Sequence, residues 1–254
     1  MIWRAALLAF ALAGAAPLAA ATAVEAFAVG KFAEAATAGR KEGTDAALIL
    51  AARAASTQAG WQTTDKARAQ ALLDAARADL ETVLKRSPGN LDALFQRGLI
   101  TGYIAKLNRS PGLAKQARRD FEAVLAKRPD DSLALAAMGG WHGEAVATLG
   151  RFLAGTALGA KEAEAIRYFE KAAAGPAGDP AVPVFYATTL LHLSAGNAAR
   201  AEALLARAAR APARDGFDRL LQQNARALLV PLARGDVKAA RTLAAKLGPL
   251  GALR

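Results

Sequence analysis

One spacing recurs along most of this chain. A small residue is followed four positions later by a bulky apolar one, and three positions after that by another small or apolar one. Ala76, Leu80 and Val83 show it, with Pro88 five residues on; Ala117, Phe121 and Val124 repeat it, with Pro129 five on. Ala165, Phe169 and Ala172 show it again, as do Ala201, Leu205 and Ala208. Steps of four and three place all three side chains on one face of a helix. The recurrence predicts an all-α array of stacked helical hairpins, each burying its apolar face against its neighbours.

Composition supports long helices packed at short range. Hydrophobic residues make up 54% of the 254 residues, but aromatics only 6%, and much of the difference is alanine. Alanine is the best helix former and buries little surface per residue. About eleven helices can be read, over 24–38, 44–56, 65–86, 91–107, 113–127, 132–153, 161–173, 183–193, 198–211, 216–233 and 236–247. Pro, Gly, Asn and Asp clusters mark the stops, notably 87–90, 108–112, 128–131 and 175–180. No segment shows strand alternation. The expected architecture is one irregular α-solenoid over 24–254, with about five helix pairs.

The amino terminus reads as a targeting segment. Arg4 supplies a positive charge, 5–16 is apolar apart from Gly14, Pro17 breaks the helix, and 18–23 offers small-residue cleavage sites. Those three zones describe a secretory signal peptide, with cleavage expected after Ala23. The apolar run is shorter than the roughly 20 residues a spanning helix needs. Cysteine is absent. That excludes disulfides, thiolate metal sites, cysteine catalysis and a lipid-modified cysteine anchor. The expected location is a periplasm.

The formal net charge is +11. Basic residues alternate with acids, as in Arg118, Arg119 and Asp120, so the surface reads as solvated helix faces and not as a nucleic-acid footprint. Acidic lipid headgroups, wall polymers or an acidic protein remain as possible envelope contacts.

The repeat resembles the tetratricopeptide repeat family, which has two helices per unit of about 34 residues. Residues 30–35 look like that family's turn between first and second helix. Leu94 with Gly98, and Leu135 with Gly139, sit where the family has a bulky residue and a glycine. Phe185, Gly196 and Ala201 match a further unit, and Gly235 with Ala240 a last one. The intervals depart from the family. Pro88 to Pro129 is 41 residues and Phe121 to Phe169 is 48. The excess is assigned to the 108–112 loop and to the stretch 139–159. An exported, irregular array of this kind is also similar to the periplasmic T-component of TRAP-type transporters.

The resemblance implies a concave groove lined by the first helix of each pair. Its register places Phe95, Leu99 and Tyr103 there in one unit, and Tyr186, Leu190 and Leu193 in another. Gly140 and Gly143 leave space beside Trp141, with His142 adjacent. An apolar groove with aromatic anchors suits an extended peptide or an amphipathic helix. His142 and His192, the only histidines, share a register position expected to be structural; Glu144, two residues from His142, points away from it. Residues 155–161 lack the spacing, the hydroxyl and the preceding strand of a phosphate loop. No acid, base and nucleophile set is visible, so neither catalysis, metal nor cofactor is expected. The functional expectation is an exported interaction scaffold for a peptide or protein partner. The alternative is a transporter accessory that holds a small organic solute. An envelope enzyme is the remaining alternative.

Overall fold

The computed structural model describes residues 22–175 and 179–254. The expected leader, 1–23, lies outside them except for its last two residues, and the 175–180 breaker cluster is described only in part. Among the described residues there are twelve α-helices and no strand. They are α1 (Ala23–Ala28), α2 (Phe32–Glu42), α3 (Asp45–Trp61), α4 (Lys66–Arg86), α5 (Leu91–Asn108), α6 (Pro111–Lys127), α7 (Ser132–Leu153), α8 (Glu162–Ala173), α9 (Ala181–Leu193), α10 (Ala198–Arg210), α11 (Gly216–Ala233) and α12 (Val237–Leu247). A short first hairpin, α1 and α2, is followed by five full ones.

Local chemistry sets the starts. Thr44, Asp65, Asn90, Ser110, Asp131, Asp215 and Asp236 each accept a backbone N–H of the first turn they precede. Each such cap contributes on the order of 1 kcal/mol. The helix expected over 24–38 is two helices. The chain turns at Val29–Lys31 through Gly30, whose φ is +84°. A β-carbon on Gly216 would strike the backbone of Gly30, so the two glycines allow this turn to cross the start of α11 at close range.

The recurring spacing is the buried stripe of the second helices. Ala76, Leu80 and Val83 of α4, Ala117, Phe121 and Val124 of α6, Ala165, Phe169 and Ala172 of α8, and Ala201, Leu205 and Ala208 of α10 are all buried. Opposite two of the bulky members the first helix carries glycine. Phe121 lies on Gly98 of α5, and Phe169 on Gly139 of α7.

The 108–112 loop does not hold the first excess of the repeat. Only Arg109, in the left-handed conformation at φ +51°, and Ser110 separate α5 from α6. The extra residues lengthen the helices, to 18 and 17 residues. The second excess does lie in 139–159. There α7 breaks at Gly150 (φ 77°, ψ 159°), a π-helical turn runs over Ala154–Leu158, and Gly159 reverses the chain at φ +71°.

The array bends until its ends meet. Helix α11 packs against α1, and its Phe217 meets Trp61 of α3. Arg53 of α3 pairs with Asp215 at 3.1 Å, and its guanidinium sits 4.5 Å from the Phe27 ring and 5.6 Å from the Phe217 ring. The amide of Leu250 donates to the Gly60 carbonyl (2.8 Å), that of Arg254 to the Thr64 carbonyl (3.0 Å), and the Trp61 indole to the Leu247 carbonyl (2.9 Å). Helix α12 crosses back to α9, where Arg241 donates to the carbonyls of Leu191 (2.7 Å) and His192 (3.2 Å). The concave face is thereby the inner wall of a ring.

Candidate functional site

Inside the ring lies a chamber of about 1590 Å³, lined by α3, α5, α7, α9, α11 and α12. One wall is apolar. Phe95, Leu99 and Tyr103 come from α5 at steps of four, which is why one helix face delivers all three. Trp61 meets Tyr103 edge-on at 6.2 Å, Phe217 edge-on at 5.3 Å, and Phe185 at a tilt at 6.5 Å. One indole thus ties α3, α5, α9 and α11 together. Trp141 is fixed by its indole N–H on the Ala114 carbonyl at 2.8 Å, with Arg118 5.3 Å from its ring. The Tyr103 phenol is pushed well above its ordinary pKa by burial.

The charges on the wall are segregated. Asp92, Asp131, Asp179, Asp215 and Asp218 stand at the amino ends of α5, α7, α9 and α11. Most are committed to the fold. Asp131 caps Leu133 and Ala134, Asp215 caps Asp218, and Arg214 joins Asp179 (2.8 Å) to Asp218 (2.8 Å). Carboxylates at helix amino termini also compensate the helix dipoles.

The second charged group is basic. Lys106 and Arg109 stand at the carboxyl end of α5, and Lys238 and Arg241 on α12, with Glu144 of α7 and His192 of α9 between them. Lys106 Nζ lies 2.8 Å from Glu144 Oε1. Burial pushes the Glu144 pKa up, but the Lys106 charge and hydrogen bond outweigh it, so the carboxyl stays below its ordinary range. The His192 pKa is lowered, chiefly by burial, against the opposing pull of Glu144. Its Nε2 is buried without a hydrogen-bond partner.

The eight residues expected at a groove divide, and Leu193 packs with Val146, Ala154 and Ala160 away from the chamber lining. Phe95, Leu99, Tyr103 and Trp141 share the chamber wall. His142 turns away from it into the contact with α8. There its Nδ1 accepts the Lys161 N–H at 3.2 Å, and its ring stacks on Tyr168 at 5.7 Å and meets Trp141 edge-on at 4.9 Å. Burial first, then the Arg118 charge, lowers its pKa to about 4. Tyr186 and Leu190 lie in the core behind the wall, Tyr186 stacked on Phe169 at 4.8 Å. Helix α9 faces the chamber with Phe185, Thr188, Thr189 and His192, one position out of the expected register.

Trp61, Phe217, Lys106, Arg241 and His192 complete the site and were not expected there. For α9 the i, i+3, i+4, i+7 spacing of Phe185, Thr188, Thr189 and His192 carried the signal. Trp61 lay in the gap between the helices expected over 44–56 and 65–86.

The chamber hydroxyls of Ser56 and Thr57 donate to the Arg53 carbonyl, at 3.0 and 2.8 Å. Among the described residues no group of three His, Asp or Glu side chains is placed to hold a metal ion. No described helix is long and apolar enough to cross a membrane. At the outer rim, beside Leu149 and Leu158 of the chamber wall, Phe152 is 79% exposed and Leu153 55%. No family model matches the chain, and no curated protein or solved structure is detectably similar to it.

Proposed function

We propose that this chain is a binding protein that encloses a small organic ligand in the central chamber of a closed helical ring. The observation that carries this reading is the meeting of the two ends of the array, which turns a groove into a chamber of about 1590 Å³ with an aromatic wall. Ligand sites are concave, mostly apolar and fixed by a few polar groups, and this one has that composition. The reading fits the periplasmic accessory of an uptake transporter better than a scaffold for a folded partner, because the meeting of the ends makes the concave wall a half-open recess and not a continuous groove. The tetratricopeptide character of the repeat, export and cleavage after Ala23 belong to the same proposal. Sequencing the amino terminus of the protein from an envelope fraction checks the last two. Val24 at the start supports export, and intact Met1 in cytosol contradicts it.

Native mass spectrometry of the protein purified without denaturation tests the chamber. We expect a small bound mass that is absent from a Leu99→Trp variant, whose larger ring fills the space. Retention of the same mass by a folded Leu99→Trp variant would place the ligand elsewhere. A second reading, capture of a protein segment, is favoured by the exposed Phe152 and Leu153 at the rim. Crosslinked partners lost in Phe152→Ser, with no small mass bound to the wild type, would establish it instead.

A further inference from the structure

We infer that the chamber takes an amphipathic organic anion, with a carboxylate head at the basic cluster and an apolar body along the aromatic wall; this rests on the chamber reading proposed above. Four cations, Lys106, Arg109, Lys238 and Arg241, line the chamber with Glu144, and of the four Lys106 alone pairs with that carboxylate. Lys106, Arg241 and Glu144 all act on the His192 imidazole, so they form one neighbourhood. Lys238 stands three residues before Arg241 on α12, within a helical turn of it, and Arg109 follows Lys106 at the left-handed cap that ends α5.

Most of that charge is not consumed by the fold. Glu144 takes a single cation, Lys106, at 2.8 Å. Arg241 donates to helix-end carbonyls and has no carboxylate partner among the described residues. Arg109 and Lys238 make no ion pair among the described residues. The contrast with the aspartates is direct, because those are bound by caps and by Arg53 and Arg214. An anionic head is therefore favoured over an ammonium, which would have to displace Lys106 from Glu144 and face four cations.

His192 supplies the second observation. A buried imidazole nitrogen without a partner costs free energy that a bound ligand can recover. Its Nε2 has no exposed surface, so donation from it to a carboxylate oxygen requires the imidazole to turn out of the wall, and the neutral ring then adds no charge. From this end the wall runs to Tyr103, Trp61 and Phe185, surfaces that bury a hydrocarbon body. The volume exceeds the roughly 300–1,000 Å³ of pockets for drug-sized ligands, which leaves room for an extended body.

The test uses decanoate, decanol and decyltrimethylammonium, each below its micelle or solubility limit. The readout is the fluorescence of Trp61 and Trp141, both on the wall. Decanoate is expected to bind about tenfold more tightly than the other two, the difference of one charge-assisted hydrogen bond or slightly more. That preference should shrink as salt rises. In the Arg109→Gln/Lys238→Gln double variant, checked for an unchanged melting curve, decanoate affinity falls several-fold and decanol affinity is unmoved. Equal binding of all three probes, unaffected by the double variant, overturns the head-group assignment and leaves the chamber in place. No fluorescence change with any probe, together with a bound mass that survives Leu99→Trp, defeats the chamber reading as well.

Discussion

The ring of Phe169 lies directly on Gly139, so that a β-carbon at 139 would stand 2.6 Å from the ring's Cδ2. Gly98 stands in the same relation to Phe121 one hairpin earlier, at 2.5 Å from Cε1. Each glycine lets the bulky residue of an outer helix reach the axis of its inner partner. Gly140, the next residue, has nothing within 4 Å of its would-be β-carbon. Gly139→Ala should therefore destabilise the protein by about 1–3 kcal/mol through overpacking. Gly140→Ala should stabilise it by roughly 0.5–1 kcal/mol through helix propensity alone. Denaturant melts of the two neighbours decide it, and equal effects would mean that Phe169 yields freely.

Asp120 is the buried member of a bidentate pair. Arg97 reaches it with Nε at 2.9 Å and a terminal nitrogen at 2.6 Å, and Asp120 is only 5% exposed. Asp120→Leu would leave a half-buried guanidinium unpaired, at a cost of about 2–4 kcal/mol. Replacing both partners, Arg97→Met with Asp120→Leu, should recover part of that loss. Denaturation of the four proteins of the cycle gives the coupling. Additive single losses would show that the pair contributes no coupling.

The buried stripes of α4, α6, α8 and α10 were legible because steps of four and three are unambiguous on a helix with one apolar face. Helix α9 is apolar nearly all round, so its periodicity could not choose between the face of Tyr186 and Leu190 and that of Phe185 and His192. Closure was not legible either. It depends on crossing angles accumulated over six hairpins, and on contacts such as Arg53 with Asp215 and Trp61 with Leu247 that lie more than 150 residues apart. Trp61 itself stood beside Gly60, Gln62 and Thr63, whose polar, turn-like character outweighed one aromatic. The surplus of cations at the carboxyl end of α5 and on α12 was visible only as a dispersed net charge until the ring gathered it.

Closure makes Trp61 a keystone. Its ring contacts Tyr103, Phe185 and Phe217, and its N–H holds the carboxyl end of α12. Trp61 is only partly buried, so Trp61→Ala should cost about 3 kcal/mol, the low end of the range for removing a large aromatic. Because the contacts to Phe217 and Leu247 join the two ends of the array, amide exchange should speed up first in α11, α12 and α1, and least in α6 to α8. Uniform acceleration along the chain would show that the ring unfolds as one unit with no weak seam.

His142 should set part of the acid limit of stability. Burial and Arg118 depress its folded pKa to about 4, against an ordinary value near 6.5 in the unfolded chain. Below about pH 6.5 the unfolded state takes up a proton that the folded state refuses, so stability falls with pH until about pH 4. Above pH 6.5 both states are neutral and the effect vanishes. Full expression of the shift amounts to about 3 kcal/mol, and His142 is nearly solvent-free, so little of it is screened. His142→Phe keeps the stack on Tyr168 but gives up the acceptor for the Lys161 amide, a loss that is constant with pH. The variant should be less stable than the wild type at pH 7 and should lose less on going to pH 4. His192, whose pKa is also lowered, remains in both proteins and cancels in the comparison. Parallel stability curves for the two between pH 7 and pH 4 would remove His142 from the acid response.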